Sequence, residues 1–530
     1  MFSLNCARVA PESRQPPHHF APPPSPLNPR LDPLLLLSRQ GYTIKFKWEC
    51  CWDSEKKHNP RVKQYFEGNP FKAPPFIKER QGLYGGRTET FVKYHRCDVE
   101  AGEKIKYYDF QSLYPSVLLN KQFITQHPRV YAGNDLKCPP LDHVEGYIFC
   151  RILPPLQLHV PVLPWRSPSK RLLFVLCRSC GVSKQSDCSH SIEERELVGV
   201  WPVPEVRLAV SKGYSILEIF EVWNYENRTT FDPATGKGGI FASFMCHWGR
   251  KKIQYSGWPS FCTYQELKNE YIKGWKEQVG IVIDPEAVQL NPSLTQWGKG
   301  IINVGWGKLC QLPQQTSISM VKGYKELLDF VMNDTIEVLS LIALSDTVIQ
   351  MTWKTVDDCV ESLPINSVIT GAYTTMHARL ELYKVLYHLQ ERAFYCDTDS
   401  CVFLSKPGLP DPPLGLYFGQ LTDEFESYGA GSYCYEWVSA GAKQYAMKVA
   451  CGGDVSKTKV IIKLRGISLN YSCSNVVTFE RFKAMVMDGE DPTKVNIPAQ
   501  IARVKGWNIV SRPSSKIWQP TQQKTLRRRR

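Results

Sequence analysis

The chain has 530 residues, enough for several domains, and carries 65 Lys and Arg against 51 Asp and Glu, a net charge of +14. A basic excess of this size favours a polyanionic partner such as nucleic acid, although many basic chains bind nothing in particular. The 18 Cys are too sparse for a secreted disulfide scaffold. Residues 1–33 lack the apolar core of a signal peptide, and no apolar run approaches the ~18 residues of a membrane helix. We therefore expect an intracellular, soluble protein with no membrane partner.

The N-terminal region divides into a polar stretch and a short patterned segment. Residues 1–40 are rich in Pro, Ser, Arg and His, and we expect them to be disordered because they cannot bury enough apolar surface to offset their ordering entropy. Residues 42–49 alternate between apolar and polar and predict a strand, followed by a basic helix or loop to about Phe71. Next, the glycine turn Tyr84, Gly85, Gly86 and Arg87 could bring the backbone close to a phosphate, or be a plain turn.

An aromatic strand over residues 105–108 ends on Asp109, and a turn then leads into a helix containing Val117, Leu118 and Leu119. The free backbone N–H groups of a first helical turn attract an anion, while the adjacent carboxylate can hold a cation. This arrangement suits a phosphate with a bound metal. The alternative is that Asp109 only caps the helix.

The next region is mixed, with predicted strands over residues 146–153, 172–176 and 213–223 and a helix over 204–211. Within it, four residues supply enough ligands for a tetrahedral Zn²⁺: Cys177, Cys180, Cys188 and His190. Their spacing is not one of the common zinc-finger patterns. A Cys-rich loop with reduced thiols is the alternative.

The chain then becomes helical. Leu267, Tyr271, Trp275 and Val279 recur at helical spacing, and residues 291–309 predict a second helix whose four glycines suggest a close packing partner. Residues 323–355 predict an apolar helix and a strand pair, and residues 371–390 a long helix.

Residues 394–403 predict two short strands joined by an acidic turn that holds Asp397 and Asp399. Like charges this close repel each other unless a cation joins them, and Mg²⁺ prefers one or two carboxylates together with substrate phosphates. An ordinary Asp-rich turn is the alternative. Downstream, residues 441–447 predict a strand that projects Lys443 and Tyr445 to one side, and residues 458–486 predict a strand, a loop and a helix. The terminal four arginines form a basic tail, either a nuclear address or a polyanion contact.

Asp109 with Asp397 and Asp399 fits two-metal nucleotidyl transfer, in which two ions ~4 Å apart clamp the attacking and leaving oxygens. At this point the chain resembles family B DNA polymerases. Residues 109–116 (DFQSLYPS) resemble the first palm motif, residues 395–400 (YCDTDS) the second, residues 299–307 (KGIINVGWG) the fingers motif, and residues 443–445 (KQY) the Lys-x-Tyr element. The branch most similar is the protein-primed one, especially the polymerases of Polinton or Maverick transposons.

The resemblance implies an α+β right-hand fold with an antiparallel palm sheet, helical fingers, a mixed insertion and a reduced thumb. The expected segments are a disordered N-terminus (1–40), a first palm segment (41–120), the insertion with the Cys/His cluster (121–240), fingers (241–310), a second palm segment (311–455), a partial thumb (456–512) and a basic tail (513–530). It also implies a primer-template DNA, dNTPs and a terminal priming protein as partners, with two Mg²⁺ or Mn²⁺ ions as cofactors.

The resemblance assigns a role to each motif residue. Asp109, Asp399 and the carbonyl of Phe110 would bind the metals, with Asp397 in support. The nucleotide would contact Ser112, Leu113, Tyr114, Lys299 and Asn303, with Tyr114 excluding a 2′-hydroxyl. DNA would contact Tyr84, Gly85, Gly86, Lys443 and Tyr445.

The chain departs from the family pattern in two respects. Val304 and Trp306 stand in the fingers motif where the family has Ser and Tyr, and the stretch before Asp109 is too short for the family's proofreading exonuclease. These departures keep a second hypothesis open, a decayed or repurposed polymerase that binds DNA without turnover. A third is a zinc-dependent binding module centred on residues 177–190.

Overall fold

The structure is a computed structural model that describes residues 49–68, 76–133, 135–185, 187–356, 359–360, 366–467, 469, 471–504 and 508–520. The chain divides into two compact units, Met1–Pro75 and Phe76–Arg530. The described part of the first unit contains two helices, α1 (Glu49–His58) and α2 (Pro60–Gly68), so the helix is the correct one of the two alternatives, basic helix or loop, left open by the sequence. The predicted strand over residues 42–49 lies outside the described residues except for Glu49, which begins α1. The predicted disorder of residues 1–40 and the terminal arginines also lie outside them.

The second unit contains helices that match most of the predicted ones. They are α3 (Leu113–Asn120), α4 (Arg178–Ser183), α5 (Ile192–Arg195), α6 (Val203–Ser211), α7 (Ala242–Tyr255), α8 (Gln265–Val279), α9 (Pro292–Leu309), α10 (Tyr324–Val331), α11 (Val368–Leu389), α12 (Tyr471–Val476) and α13 (Phe479–Met487). Among the described residues, no helix has the length and apolar character needed to cross a membrane.

The strands of the second unit form one large sheet and several small ones. They are β1 (Thr88–Thr90), β2 (Tyr94–Arg96), β3 (Lys104–Phe110), β4 (Phe123–Thr125), β5 (Arg129–Ala132), β6 (Gly146–Leu153), β7 (Pro164–Arg166), β8 (Leu172–Phe174), β9 (Leu197–Pro202), β10 (Ser215–Asn224), β11 (Asn227–Thr229), β12 (Ser317–Val321), β13 (Ile336–Ala343), β14 (Ile349–Thr355), β15 (Ala393–Asp397), β16 (Ser400–Ser405), β17 (Leu421–Asp423), β18 (Tyr433–Gly441), β19 (Gln444–Ala450), β20 (Thr458–Lys463), β21 (Thr493–Arg503) and β22 (Ile509–Trp518).

The large sheet is antiparallel and has the order β1-β15-β16-β3-β18-β19-β20, with β17 also paired to β3 and β2 to β18. Both faces are covered. In β16, Cys401 and Phe403 point into one hydrophobic cluster together with residues of α3 and α11, whereas Val402 and Leu404 point into a second cluster. This alternation follows from the two-residue period of a strand, and it fixes the register of the acidic hairpin.

Residues 121–240 contain a four-stranded antiparallel sheet with the order β5-β10-β6-β9, and β12, β13 and β14 form a separate three-stranded sheet. The predicted strand pair and helix over residues 323–355 are therefore confirmed. The glycine-rich helix α9 packs against α7 as predicted, since a Cβ on Gly298 would lie 3.4 Å from the backbone of Lys252. Its Gly300 and Gly307, in contrast, face open space.

The predicted strand over residues 441–447 is wrong at its start. Strand β18 ends at Gly441 and β19 begins at Gln444, so Ala442 and Lys443 form a two-residue hairpin turn. Lys443 has a φ of 61°, a left-handed conformation that occurs in turns and not in an extended strand. The sequence does contain a local signal for this turn, because Gly441 and Ala442 are poor strand formers and glycine favours turns.

Candidate active site

Two carboxylates lie on neighbouring central strands of the large sheet. Asp109 is the penultimate residue of β3, and its partner across the strand pair is Ser400, the first residue of β16. Asp399 immediately precedes Ser400, and its carbonyl accepts a hydrogen bond of 2.7 Å from the amide of Phe110. The backbone therefore brings Asp109, Phe110 and Asp399 together, as predicted from two stretches almost 290 positions apart in the sequence.

The acidic hairpin is fixed by the glycine segment upstream. Thr398, at the tip, has a φ of 62°, and its amide donates to the carbonyl of Arg87 at 2.7 Å. A Cβ on Gly86 would lie 2.6 Å from the Thr398 side chain, so only glycine permits this approach. This close contact gives Gly86 a role in supporting the hairpin, whatever else touches this segment.

Asp397 is fully engaged with protein groups. Its Oδ2 lies 3.0 Å from Nζ of Lys443, and its Oδ1 accepts a hydrogen bond of 2.9 Å from Thr88. The hydroxyl of Tyr395 lies 3.4 Å from Oδ2 and accepts a hydrogen bond from the amide of Lys443. Asp397 thus ties the hairpin to the β18–β19 turn.

Asp109 and Asp399 lie in surroundings that disfavour their charged forms. Burial, together with repulsion from Asp399 and Glu424, raises the pKa of Asp109 to about 7, and the buried Oδ1 of Asp109 has no hydrogen-bond partner among the described residues. Burial and the charge of Asp397 also raise the pKa of Asp399. Two carboxylates that repel each other in a partly desolvated place fit a divalent cation, which would relieve both penalties.

Next to Asp109 and Asp399, the N-terminus of α3 lies close to lysine side chains of the neighbouring helices. Ser112 adopts a left-handed conformation with a φ of 52° and does not cap the helix with its side chain. Instead its Oγ accepts a hydrogen bond of 2.6 Å from Nζ of Lys252 on α7. Burial and the charge of Lys299 lower the pKa of Lys252 to about 8. First-turn amides and two lysines together form a place for an anion.

Sequence reasoning missed Lys252. The run Arg250, Lys251 and Lys252 was a visible signal, but only the packing of α7 on α3 and α9 shows which of the three points at Ser112. Lys251 instead lies over the ring of Trp248, at 4.9 Å.

The predicted fingers residues share one face of α9. Lys299, Asn303 and Trp306 occur at the i, i+4 and i+7 spacing of one helix face, and the buried Ile302 lies next to this face. The ring of Trp306 stacks on that of Tyr114, with centroids 4.9 Å apart and an angle of 9° between the planes. Leu113, next to Tyr114, is buried in the core and can offer only its backbone.

The predicted DNA-contact residues differ in exposure. Gly85 is exposed with open space beyond its Cα, and Lys443 is exposed in its turn. In contrast, Tyr84 is buried beneath the guanidinium of Arg166, and Tyr445 is buried against Trp437. Tyr445 therefore does not project to an exposed side together with Lys443, because its ring fills the second cluster of the large sheet.

The third predicted site is also assembled. One potential ligand atom from each of Cys177, Cys180, Cys188 and His190 lies within 4.8 Å of all the others.

Residues 76–234 match the family described as "DNA polymerase type B, organellar and viral". No curated protein matches the chain by sequence. Among solved structures, the chain is similar to Phi29 DNA polymerase in a ternary complex with primer-template DNA and incoming nucleotide, with a TM-score of 0.53 and 16% identity over 91% of this chain and 69% of that one. The same polymerase complexed with single-stranded DNA gives a TM-score of 0.51 and 15% identity over the same shares of the two chains.

The shared fold confirms the predicted α+β right-hand architecture. Together, the family match and the shared fold support a DNA-directed DNA polymerase.

Proposed function

We propose that this chain extends a primer by adding deoxynucleotides opposite a DNA template, by two-metal nucleotidyl transfer. The observation that carries the proposal is the pair Asp109 and Asp399, which the backbone holds side by side next to an open helix N-terminus, with Oδ1 of Asp109 unpartnered among the described residues. A stable surface turn would not need two repelling, partly buried carboxylates.

Asp109, Asp399 and the carbonyl of Phe110 would hold the ions, with Mg²⁺ or Mn²⁺ suited to an all-oxygen ligand set. When bound, the ions would stabilise the charge that develops on the attacking and leaving oxygens. Asp397 would not bind them directly. Its bonds to Lys443 and Thr88 instead hold the hairpin in place.

The triphosphate would lie across the N-terminus of α3. The amides of Ser112 and Leu113 would donate to it, and Lys252 and Lys299 would neutralise its charge as point cations. Lys252 would exchange its bond with Ser112 for a phosphate oxygen. The sugar would lie on Tyr114, whose ring would exclude a 2′-hydroxyl, and Asn303 would contact the incoming nucleotide from α9.

DNA would approach from the side of the two exposed turns. Lys443, next to Asp397, would contact the primer end, and the open backbone at Gly85 would contact the template. Tyr84 and Tyr445 would support these turns from inside. A terminal priming protein and a transposon setting are supported only by the sequence resemblance to the protein-primed branch.

Extension of a labelled primer by the purified chain, with Mg²⁺ and dNTPs, tests the proposal, with DNA binding measured in parallel by anisotropy. Asp399→Asn should lower the extension rate on the order of 10³-fold, because several kcal/mol of charge stabilisation are lost, and should leave DNA binding within about threefold. Asp488→Asn, an exposed acid at the end of α13, is the matched control and should extend normally. DNA binding without extension by the wild-type chain would favour the decayed polymerase instead.

A further inference from the structure

One nitrogen faces three sulfurs in the insertion. Nδ1 of His190 lies 3.5 Å from Sγ of Cys177, 3.3 Å from Sγ of Cys180 and 3.7 Å from Sγ of Cys188. A ring nitrogen has one lone pair or one hydrogen, so it can bond to only one of these sulfurs at a time. Hydrogen bonding therefore does not explain three similar distances.

A shared central ion does explain them. Zn²⁺ binds Cys sulfur at about 2.3 Å and His nitrogen at about 2.0–2.1 Å in a tetrahedron, which places nitrogen and sulfur about 3.6 Å apart. The three observed distances lie on both sides of this value. The four ligand atoms also lie within 4.8 Å of one another, as the corners of one coordination shell must.

The local fold turns the chain around this point. Cys177 caps α4, and its Sγ accepts a hydrogen bond of 3.4 Å from the amide of Cys180. Lys184 ends the helix with a φ of 59°, which redirects the chain toward Cys188. Ser191 then begins α5 with a capping box.

This segment has little apolar packing of its own. Helix α4 has six residues, none of them buried, and α5 has four, of which only Arg195 is buried. Polar contacts join the two ends, with Arg178 donating to the carbonyl of Glu193 at 2.8 Å and Ser179 to that of Glu194 at 3.0 Å. Segments that cannot build a core commonly rely on a metal or a disulfide.

We propose that Cys177, Cys180, Cys188 and His190 bind one structural Zn²⁺. Three thiolates and one imidazole complete a tetrahedron and leave no position for water or substrate, so the site stabilises the fold and takes no part in catalysis. This proposal is independent of the polymerase function, because it concerns metal content alone.

The site also lies close to a support of the acidic hairpin. Phe174 precedes Cys177 by three residues, and its ring lies 4.2 Å from the guanidinium carbon of Arg87. The carbonyl of Arg87 accepts the amide of Thr398 at the hairpin tip. A zinc ion bound to Cys177, Cys180, Cys188 and His190 would therefore hold in place the segment that follows the contact between Phe174 and Arg87.

Metal analysis of the full chain, purified without added metal, tests the proposal. We expect about one zinc per chain in the wild type, and less than about a fifth of that in Cys188→Ser. Cys359→Ser removes an exposed thiol outside the cluster and should keep the full zinc content. His190→Cys should also keep it, because four thiolates form an equally good tetrahedral site.

Cobalt substitution supplies a second readout. A Co²⁺-loaded wild-type chain should show thiolate-to-metal charge-transfer absorption and the intense visible bands of a tetrahedral ion, and Cys188→Ser should lose both. Circular dichroism separates loss of a ligand from loss of the fold. A well-folded wild-type chain without zinc, a Cys177–Cys180 disulfide in the fresh protein, or full zinc retention by Cys188→Ser would each overturn the proposal.

Discussion

Trp306 on helix α9 stacks on Tyr114 on helix α3, with ring centroids 4.9 Å apart and planes inclined by only 9°. The stack joins the helix that carries Lys299 and Asn303 to the helix whose N-terminus adjoins Asp109. It also involves one of the two positions where the sequence departs from the fingers motif. The larger ring therefore does not leave its position unpartnered, and it stacks on the Tyr114 side chain against which we propose that the sugar binds.

Trp306→Ala tests whether this stack organises nucleotide binding. Stacked aromatic pairs contribute about 0.5–1.5 kcal/mol beyond the area they bury, so we expect KM for dNTPs to rise up to about tenfold. Trp306→Tyr retains an aromatic ring and should stay within about threefold of the wild type. Steady-state extension with a single dNTP measures both variants, and equal KM values for Trp306→Ala and wild type would show that the stack is not used.

The acidic hairpin and the strand that ends on Asp109 could be predicted from the sequence, because strand alternation and turn residues are local signals. Their adjacency was expected only through the family resemblance, since no local pattern specifies that β3 pairs with β16. The predicted helices of residues 265–309 were likewise confirmed, because apolar residues recur with the helical period.

Two features could not be derived from the sequence, because they depend on packing between distant segments. Lys252 contacts Ser112 across 140 positions, and a run of basic residues does not reveal which member faces inward. Tyr445 is buried because Tyr107, Tyr395 and Trp437 surround it, although the strand pattern predicted that it projects to one side with Lys443. The turn at Lys443, in contrast, had a local signal in Gly441 and Ala442, which are poor strand formers.

Lys252→Met tests the proposed triphosphate contact that the sequence did not reveal. Methionine keeps an unbranched stem near Phe418 and removes the charge, and a charged hydrogen bond is worth about 1.5–3 kcal/mol. We expect KM for dNTPs to rise about 10- to 100-fold with little change in DNA binding. Lys251→Met, on the neighbouring face of α7, is the control and should behave like the wild type.

The same lysine predicts a pH dependence. Burial and Lys299 lower the pKa of Lys252 to about 8 in the nucleotide-free protein, so the positive charge is lost as the pH rises through 8. For the wild type, kcat/KM for dNTPs should therefore fall above pH 8. Lys252→Met has no such group and should lack this decline, and an identical decline in both proteins would assign it to another residue.

Arg379 and Glu205 form a buried pair that holds the glycine segment in place. Their side chains are only 3% and 1% exposed, with Nη2 and Oε2 2.8 Å apart, and Arg379 also donates to the carbonyls of Tyr84 and Gly85. Arg379→Met leaves Glu205 buried without a partner, which typically costs about 3–5 kcal/mol. We expect a clear loss of thermal stability, measured by calorimetry.

Two further variants show whether the lost ion pair is the cause. Arg379→Met combined with Glu205→Leu removes the uncompensated charge and should recover part of the stability. Lys273→Met breaks an exposed pair with Glu277 and should change the unfolding free energy by less than about 0.5 kcal/mol. Equal losses in the single and double variants would mean that packing around Arg379, and not its charge, is responsible.

Neutralising Asp109 and neutralising Asp397 should change the thermal stability in opposite directions. Burial and the charge of Asp399 raise the pKa of Asp109 to about 7, whereas an unfolded Asp titrates near about 3.9. The ionised side chain therefore destabilises the metal-free fold. This destabilisation grows as the pH rises from about 4 and is complete above about 7.

With a chelator present, Asp109→Asn should increase the free energy of unfolding at pH 8 by about 1 kcal/mol, after allowance for the solvent that still reaches the carboxylate, and so raise the thermal midpoint. At pH 5 the same variant should change the midpoint little. Asp397→Asn instead removes the partner of Lys443 and should lower the midpoint at pH 8. A lower midpoint for Asp109→Asn at pH 8 would contradict the conclusion that the protein holds this carboxylate at a cost in stability for a cation to offset.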